Sequence, residues 1–398
     1  MRNRTFNFIY GCIQSNRTYF YSYFDRSWWS WNFNLYFFSY DSVFKKISVV
    51  NGNLIKDFYI DDIDFNPKSI LKKIVLFTLL IQVVGSILLI PGLYKAGDHH
   101  FIFNSIFLSI SAFCNAGFSP SSDSLSGFSG NWYVLSIIMG LIILGGIGFV
   151  VFTNIAQKIR FARKGQIFYL SLHVKIVLIS TVVLIVSGFV FTFISFYKTS
   201  LWKIPLSKRI LTALFESVTL RTAGFETIPQ TSFTSSASLF HLILMFIGGS
   251  PGSIAGGVKT TTAFITLLYL LDGNEQHTTV SFANRRIPST IINKSITIVS
   301  RSVLILLISA ILLSLVENQL ISNGTISLID IIYESVSALA TVGLSRGLTP
   351  QLSYLGKLII IITMYIGRTG IYAMSIKSGF TGSDNEDLIY PEESLLVG

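Results

Sequence analysis

Apolar segments long enough to cross a lipid bilayer alternate with shorter polar segments along most of the chain. A hydrocarbon core about 30 Å thick needs about 20 mainly apolar residues in one helix. The pattern therefore predicts an all-α integral membrane protein. Its expected membrane segments are residues 74–90, 133–152, 174–196, 239–271, 299–315 and 358–376.

Between the two helices of each successive pair lies a shorter stretch that ends in a glycine turn. Residues 335–344 read Ser-Val-Ser-Ala-Leu-Ala-Thr-Val-Gly-Leu. Residues 109–118 match them in character, and residues 217–225 match them with one residue fewer. One such turn would be a tight connection between helices, but three alike indicate a repeat. The pattern is typical of re-entrant pore loops, whose non-helical backbone survives at membrane depth only beside protein or water.

These turns supply the candidate ion-selectivity filter. Backbone carbonyls that face a pore replace the hydration shell of a cation, and the negative end of a helix favours a cation just beyond it. We therefore expect three in-frame membrane helix–pore loop–membrane helix units around a central pore. The candidate filter residues are Asn115, Ala116, Gly117, Phe118, Thr222, Ala223, Gly224, Phe225, Thr341, Val342, Gly343 and Leu344.

The fourth membrane segment is interrupted at residues 248–259 by a run rich in glycine. Each glycine inside a helix costs about 1 kcal/mol relative to alanine, and proline costs about 3 kcal/mol, so a continuous helix is excluded. A phosphate-binding loop would need a preceding strand and a Gly-Lys-Ser/Thr ending. We expect a flexible intramembrane gating loop beneath the filter, with a passive kink as the alternative. Its candidate residues are Gly248, Gly249, Ser250, Pro251, Gly252, Ser253, Gly256, Gly257 and Lys259.

Several charged residues lie at or near membrane depth, where they usually face a cavity, a partner or an interface. They include Lys259, Arg221 and Arg368. We expect Arg368 to point into the pore as a gate or a barrier to cations, with a structural ion pair as the alternative. Glu216 and Glu334 are expected to open their pore helices, where acids complement the helix dipole.

Composition supports the membrane assignment, since 51% of the 398 residues are hydrophobic and 13% are charged. Soluble domains carry about twice that charge. The net charge of +10 comes from lysines and arginines in loops beside the spans. Such loops are typically cytoplasmic, so the charge reflects topology rather than nucleic-acid binding, and the pore loops enter from outside. No residues have metal-ligand or nucleophile–base spacing, which argues against an enzyme.

The beginning of the chain differs from the rest, because residues 1–41 contain no alanine and no valine but many aromatic residues. The run Trp-Trp-Ser-Trp-Asn-Phe at residues 28–33, read one nucleotide later, gives Gly-Gly-x-Gly and then Ile or Thr. In frame, residues 145–149 read Gly-Gly-Ile-Gly-Phe. Our hypothesis is that this segment is an out-of-frame remnant of a further repeat. The alternative is an aromatic segment at the membrane interface, and sequencing the gene separates the two.

The sequence thus divides into units and connectors. The expected segments are an anomalous segment at 1–44, a cytoplasmic connector at 45–69, a pore unit at 70–156, a pore unit with the glycine-rich loop at 157–271, a cytoplasmic linker at 272–296, a last pore unit at 297–378 and a tail at 379–398.

Together these motifs resemble the Trk/Ktr/HKT superfamily of potassium transport proteins. The resemblance rests on the three turns, on the glycine-rich run extended to residue 261, and on Met-Tyr-Ile-Gly-Arg at residues 364–368. It implies potassium-selective uptake in a bacterial cytoplasmic membrane, a gating loop at residues 248–259 and a pore-facing Arg368. It also implies a homodimer that docks on a cytoplasmic nucleotide-binding ring. The compact length indicates the Ktr branch, whose potassium transport depends on sodium.

Members of that superfamily have four pore units, whereas three are recognisable in this sequence. A non-conducting product, or an assembly partner that still binds the ring, is therefore the alternative to an active transporter.

Overall fold

A computed structural model describes residues 67–197, 199–272 and 280–369. The anomalous segment at 1–44, most of the connector at 45–69, the end of the last span after residue 369 and the tail at 379–398 lie outside the described residues. The described helices are α1 (Pro67–Lys95), α2 (Phe101–Phe113), α3 (Trp132–Ile147), α4 (Phe149–Arg163), α5 (Leu172–Ser195), α6 (Leu206–Thr219), α7 (Ser235–Phe246), α8 (Thr260–Asp272), α9 (Ser289–Val316), α10 (Asn318–Ser322), α11 (Leu328–Leu339) and α12 (Tyr354–Thr369). Two strands, β1 (Val280–Phe282) and β2 (Arg285–Ile287), and four 3-10 turns (Ser126–Phe128, Ser200–Lys203, Gln230–Ser232 and Thr349–Gln351) complete the described elements.

Helices α1, α5 and α9 are each long and apolar enough to cross a membrane. No more than 33% of any of these spans is buried inside the protein. On α9, for example, Leu304, Leu307, Ile311 and Leu315 are all more than half exposed. Water does not favour so large an apolar face, so these faces fit contact with lipid.

The predicted span at residues 133–152 is not one straight helix. Helix α3 ends at Ile147, α4 begins at Phe149, and the two are bent by 95°. The intervening Gly148 has a φ of 89°, and a Cβ atom there would lie 2.7 Å from the Ser250 Oγ. The predicted segment is therefore bent where α3 meets α4, a feature that hydropathy alone does not register.

The predicted polar linker at 272–296 contains folded structure. Strands β1 and β2 pair antiparallel, with Val280 opposite Ile287. Both side chains are buried in one cluster with Ile265 of α8 and Ile292 of α9. Helix α9 consequently begins earlier than the predicted span, because the hairpin returns the chain directly to the side of α8.

The helices form three units with similar internal contacts. Unit A comprises α1, α2 and α3, which contact one another; unit C comprises α9, α11 and α12, which do the same. In unit B, α5 contacts α6, α7 and α8. Units A and B join where α3 packs on α6, and units B and C join where α7 packs on α11 and α8 packs on α9. The short helices α2, α6 and α11 therefore lie between longer ones, and their C-terminal halves are buried.

Candidate functional site

Each short helix ends in a turn that carries a candidate filter segment. We call residues 115–118 loop A, residues 222–225 loop B and residues 341–344 loop C. In each loop, the first residue and the glycine have a left-handed φ, with one residue between them. The φ values are 50° and 73° for Asn115 and Gly117, 64° and 78° for Thr222 and Gly224, and 54° and 90° for Thr341 and Gly343. Few residues other than glycine adopt this region, so the shared alternation is a specific backbone design rather than an ordinary extended strand.

The three loops approach one another backbone to backbone. A Cβ atom on Gly117 would lie 2.7 Å from the Ala223 carbonyl oxygen and 2.9 Å from the Gly224 Cα. A Cβ atom on Gly224 would collide with the Val342 carbonyl oxygen. Loop B therefore lies between loops A and C. On Gly343 of loop C, an added Cβ would meet no atom of the described chain within 4 Å.

Hydroxyl groups near the ends of the short helices hold the loops. The Ser111 Oγ donates to the Phe118 carbonyl over 2.7 Å, and the Thr219 Oγ1 donates to the Phe225 carbonyl over 2.7 Å. At the matching position of unit C, the Ser337 Oγ accepts from the Gly343 N–H over 3.2 Å. One hydroxyl position thus fixes all three loops, although in loop C it binds a donor rather than an acceptor.

A second hydroxyl, two residues earlier, fixes the short helix itself. The Ser109 Oγ donates to the Gln82 carbonyl of α1 over 2.7 Å, and the Ser217 Oγ donates to the Ile185 carbonyl of α5 over 2.6 Å. In unit C, the Ser335 Oγ donates instead to the Ile331 carbonyl of its own helix over 2.9 Å. The sequence pattern Ser-x-Ser/Thr therefore attaches two of the short helices to their membrane helices.

The glycine-rich segment, residues 247–259, separates α7 from α8 and lies against loops B and C. Its two ends pair through an Ile247–Val258 bridge. A Cβ atom on Gly256 would lie 2.7 Å from the Ala340 carbonyl oxygen and would collide with the Thr341 Oγ1. A Cβ atom on Gly248 would lie 3.4 Å from the Thr222 Cγ2. Only residues without side chains allow this segment to approach the loops so closely.

The same segment also contacts unit A and the last helix. The Ser250 N–H donates to the Gly146 carbonyl over 3.0 Å. The Arg368 Nη1 donates to the Ile254 carbonyl over 2.8 Å, and the Lys259 Nζ donates to the Ala255 carbonyl over 2.5 Å. Arg368 and Lys259, two of the charged residues predicted to lie at membrane depth, therefore both donate to backbone carbonyls of the glycine-rich segment.

The predicted placement of two acids was wrong. Glu216 and Glu334 do not open their helices, because α6 begins at Leu206 and α11 at Leu328. Both glutamates are buried inside those helices. The acid in the first turn of α11 is Asp330, which forms a capping box with the preceding serine. Each helix begins at least six residues before the glutamate, which places the acid beyond the first turn.

Sequence reasoning also missed a buried polar network behind loops B and C. Gln230, only 1% exposed, accepts from the Tyr333 hydroxyl over 2.9 Å and donates to the Glu216 carboxyl group over 2.8 Å. Arg346 binds the Gln230 carbonyl over 3.0 Å and the Asp330 carboxylate over 2.7 Å. The one available signal was an arginine two residues after a filter segment.

The pKa of the Asp330 carboxyl is shifted by this arrangement. Burial acts to raise the pKa, but hydrogen bonds from Ser327 and Arg346, together with the charge of Arg346, outweigh it and lower the pKa below its ordinary value. Asp330 is therefore a carboxylate at neutral pH and forms a partly buried ion pair with Arg346.

Comparisons with known proteins agree with this architecture. The chain is 34% identical over 328 residues to the potassium/sodium uptake protein NtpJ of Enterococcus hirae, covering 81% of this chain and 70% of that protein. It is 33% identical over 359 residues to the Ktr system potassium uptake protein B of Vibrio alginolyticus, covering 89% of this chain and 75% of that protein.

A solved structure shows the same fold. The crystal structure of the potassium transporter TrkH from Vibrio parahaemolyticus superposes with a TM-score of 0.60 at 17% identity, over 80% of this chain and 66% of that chain. The prediction of a helical membrane protein of this superfamily is confirmed. Because the family model for TrkH, a cation transport protein, matches residues 59–384, the chain belongs to the TrkH family of cation transport proteins.

Proposed function

We propose that this chain takes up potassium across the bacterial cytoplasmic membrane, through a passage formed where loops A, B and C meet. One observation carries the proposal: three short helices end in loops with the same left-handed alternation, and these loops touch through their backbones. The names of the relatives, a potassium/sodium uptake protein and a Ktr potassium uptake protein, support potassium as the cargo. Potassium would cross as an ion, and no covalent bond would be made or broken.

The loops would bind the ion mainly through backbone carbonyls. Carbonyl oxygens replace the water that a cation loses on entering the filter, and the C-terminal ends of α2, α6 and α11 add negative potential there. The glycines matter most, because a side chain on Gly117 or Gly224 would occupy the space between neighbouring loops.

The glycine-rich segment would gate this passage. It lies against Thr341 and Thr222, the first residues of loops C and B, and therefore at one end of the proposed filter. Arg368 holds it through the Ile254 carbonyl. Release of that bond would free the segment to move away from the loops, and the positive charge of Arg368 would oppose passage of a cation while the bond holds.

The protein would work as a homodimer on a cytoplasmic nucleotide-binding ring, as the family resemblance implies, with sodium as a coupling ion. A non-conducting product or assembly partner is the second candidate. One observation favours it, namely that the described part of the chain leaves the side of loop C next to Gly343 open.

Growth of a potassium-uptake-deficient bacterial strain on low potassium tests the proposal. We expect the chain to restore growth and Gly343→Ser to abolish the rescue. Gly347→Ser is the matched control, because Gly347 also has a left-handed φ (85°, against 90° for Gly343) and open space around it, but lies outside the loop. Both variants place a side chain on a backbone with a similar left-handed φ. A difference in growth between them would therefore be due to the position of Gly343 in the proposed filter.

Two outcomes would redirect the assignment. Full rescue by Gly343→Ser would contradict the role of loop C. Absence of rescue by the chain itself, together with rescue once the reading frame before residue 45 is repaired, would favour the non-conducting product.

A further inference from the structure

Units B and C share a buried polar network centred on Gln230. This residue begins the Gln230–Ser232 turn, just after loop B. Its backbone N–H donates to the Glu226 carboxyl group over 2.8 Å, and its side-chain amide donates to the Glu216 carboxyl group over 2.8 Å. Its side-chain carbonyl accepts from the Tyr333 hydroxyl over 2.9 Å, and its backbone carbonyl accepts from the Arg346 guanidinium over 3.0 Å. Every kind of polar group in Gln230 is therefore used. We call these five residues the Gln230 network.

The members of the network flank both loops. Glu216 lies in α6 before loop B, and Glu226 directly follows that loop. Tyr333 lies in α11 before loop C, and Arg346 follows that loop by two residues. Glu216 and Tyr333 are both 0% exposed. One glutamine thus joins the entry and the exit of loop B to the entry and the exit of loop C.

Arg346 strengthens this connection because its guanidinium reaches three elements. It binds the Asp330 carboxylate of α11 over 2.7 Å, the Ser238 hydroxyl of α7 over 2.6 Å and the Gln230 carbonyl. A guanidinium is planar and its donors have a fixed geometry, so it sets the distances between its partners more rigidly than an ammonium group does.

The network continues into unit A through Glu226. The Glu226 N–H donates to the Ser124 hydroxyl over 3.1 Å, and its carbonyl accepts from the Leu125 N–H over 2.9 Å. Both residues follow loop A. The segments that leave the three loops are therefore connected by hydrogen bonds, with Glu226 and Gln230 in the middle.

From this arrangement we infer that the Gln230 network sets the spacing of the filter loops and thereby the discrimination between potassium and sodium. Its members act as positioning residues and do not bind the ion. The polar groups of Gln230 are all hydrogen-bonded, although the Glu216 Oε2 has no partner among the described residues. Hydrogen-bonded buried groups hold their elements rigidly, whereas removal of a partner of Gln230 leaves a further buried group unsatisfied and the network loose. Carbonyl loops that are free to approach one another would accept the smaller ion. The inference rests on the proposed function, since it assumes that these loops bind the ion.

The test measures how strongly potassium and sodium stabilise the purified full-length chain and its variants against thermal unfolding. The thermal unfolding midpoint is titrated with potassium chloride or sodium chloride against a choline chloride background, because an ion that binds the folded state raises the midpoint. Gln230→Leu removes both side-chain bonds at similar volume, and Tyr333→Phe removes one oxygen atom. Gln351→Leu is the control, since Gln351 is exposed and its side-chain amide donates to the nearby Gly347 carbonyl rather than to the Gln230 network.

The preference for potassium is the ratio of the sodium to the potassium dissociation constant. We expect this ratio to fall about tenfold in Gln230→Leu, about threefold in Tyr333→Phe and not at all in Gln351→Leu. If Gln230→Leu does not fold, Tyr333→Phe decides the question, because it deletes no carbon atom. Unchanged ion preference in a destabilised Tyr333→Phe protein would overturn the inference and leave the proposed function intact. A wild-type chain that potassium does not protect would overturn both.

Discussion

Loops B and C have the same backbone but different surroundings. In loop B, Thr222, Ala223 and Phe225 are buried, and Gly224 touches both neighbouring loops. In loop C, Gly343 is exposed and its Cα faces open space within the described chain. Both loops nevertheless alternate left-handed residues in the same way, with φ values of 64° and 78° against 54° and 90°.

The comparison separates local from tertiary causes. Loop C keeps the alternation although no described atom lies beside the Gly343 Cα, so close packing against the glycine is not required for it. Close packing in loop B adds a second constraint, which excludes any side chain from the space between backbones. Substitutions in the two loops should therefore differ in a predictable order.

The largest effect is expected from Gly224→Ala. The new Cβ would collide with the Val342 carbonyl oxygen, and alanine would have to adopt a φ of 78°. Left-handed strain and overpacking together should lower the free energy of unfolding by about 3 kcal/mol. Thermal unfolding in detergent measures this change. A midpoint within experimental error of the wild type would show that loop B is not enclosed.

Gly343→Ala should have a smaller effect on stability. It introduces the same kind of strain, at a φ of 90°, but no collision with described atoms. We expect a loss of about 1–2 kcal/mol in the same unfolding measurement. If Gly343→Ala proved as damaging as Gly224→Ala, some part of the protein would have to cover Gly343.

Substitution of the hydroxyl residues that hold the two loops should likewise destabilise the protein more at loop B than at loop C. Thr219→Val leaves the buried Phe225 carbonyl without its donor and should cost about 1 kcal/mol. Ser337→Ala should cost less, because Gly343, whose N–H loses its acceptor, is an exposed residue. Unfolding midpoints of the two variants provide the comparison, and a larger loss in Ser337→Ala would contradict it.

The smallest effect concerns the acid that supports loop C. The pKa of Asp330 is lowered in the folded protein, so its stabilising contribution is present above the unfolded pKa of about 4. That contribution is lost as the pH falls through the lower, folded pKa. Asp330→Asn should therefore lose less stability than the wild type between about pH 6 and about pH 3. Identical acid dependence in both proteins would exclude Asp330 as the titrating group.

The sequence by itself determined the class of the protein and the position of its loops. Hydropathy predicted the apolar segments that the described structure shows as the membrane-length helices α1, α5 and α9, because lipid requires long apolar helices. The three glycine turns were predicted at residues whose glycines have a left-handed φ, because glycine adopts that conformation without the steric cost of a Cβ atom. The filter, gating and partner assignments remain predictions.

Only the tertiary structure decided which residues meet. Tyr333 and Gln230 are 103 residues apart in sequence, and Arg346 reaches the Gln230 carbonyl from 116 residues away. The bend at Gly148 likewise lies beside Ser250, about 100 residues further along the chain, where a Cβ atom on the glycine would be 2.7 Å from the Ser250 Oγ. Composition and periodicity report how a residue relates to lipid, water and its own helix. They do not show which distant side chains will lie within hydrogen-bonding distance once the chain is folded.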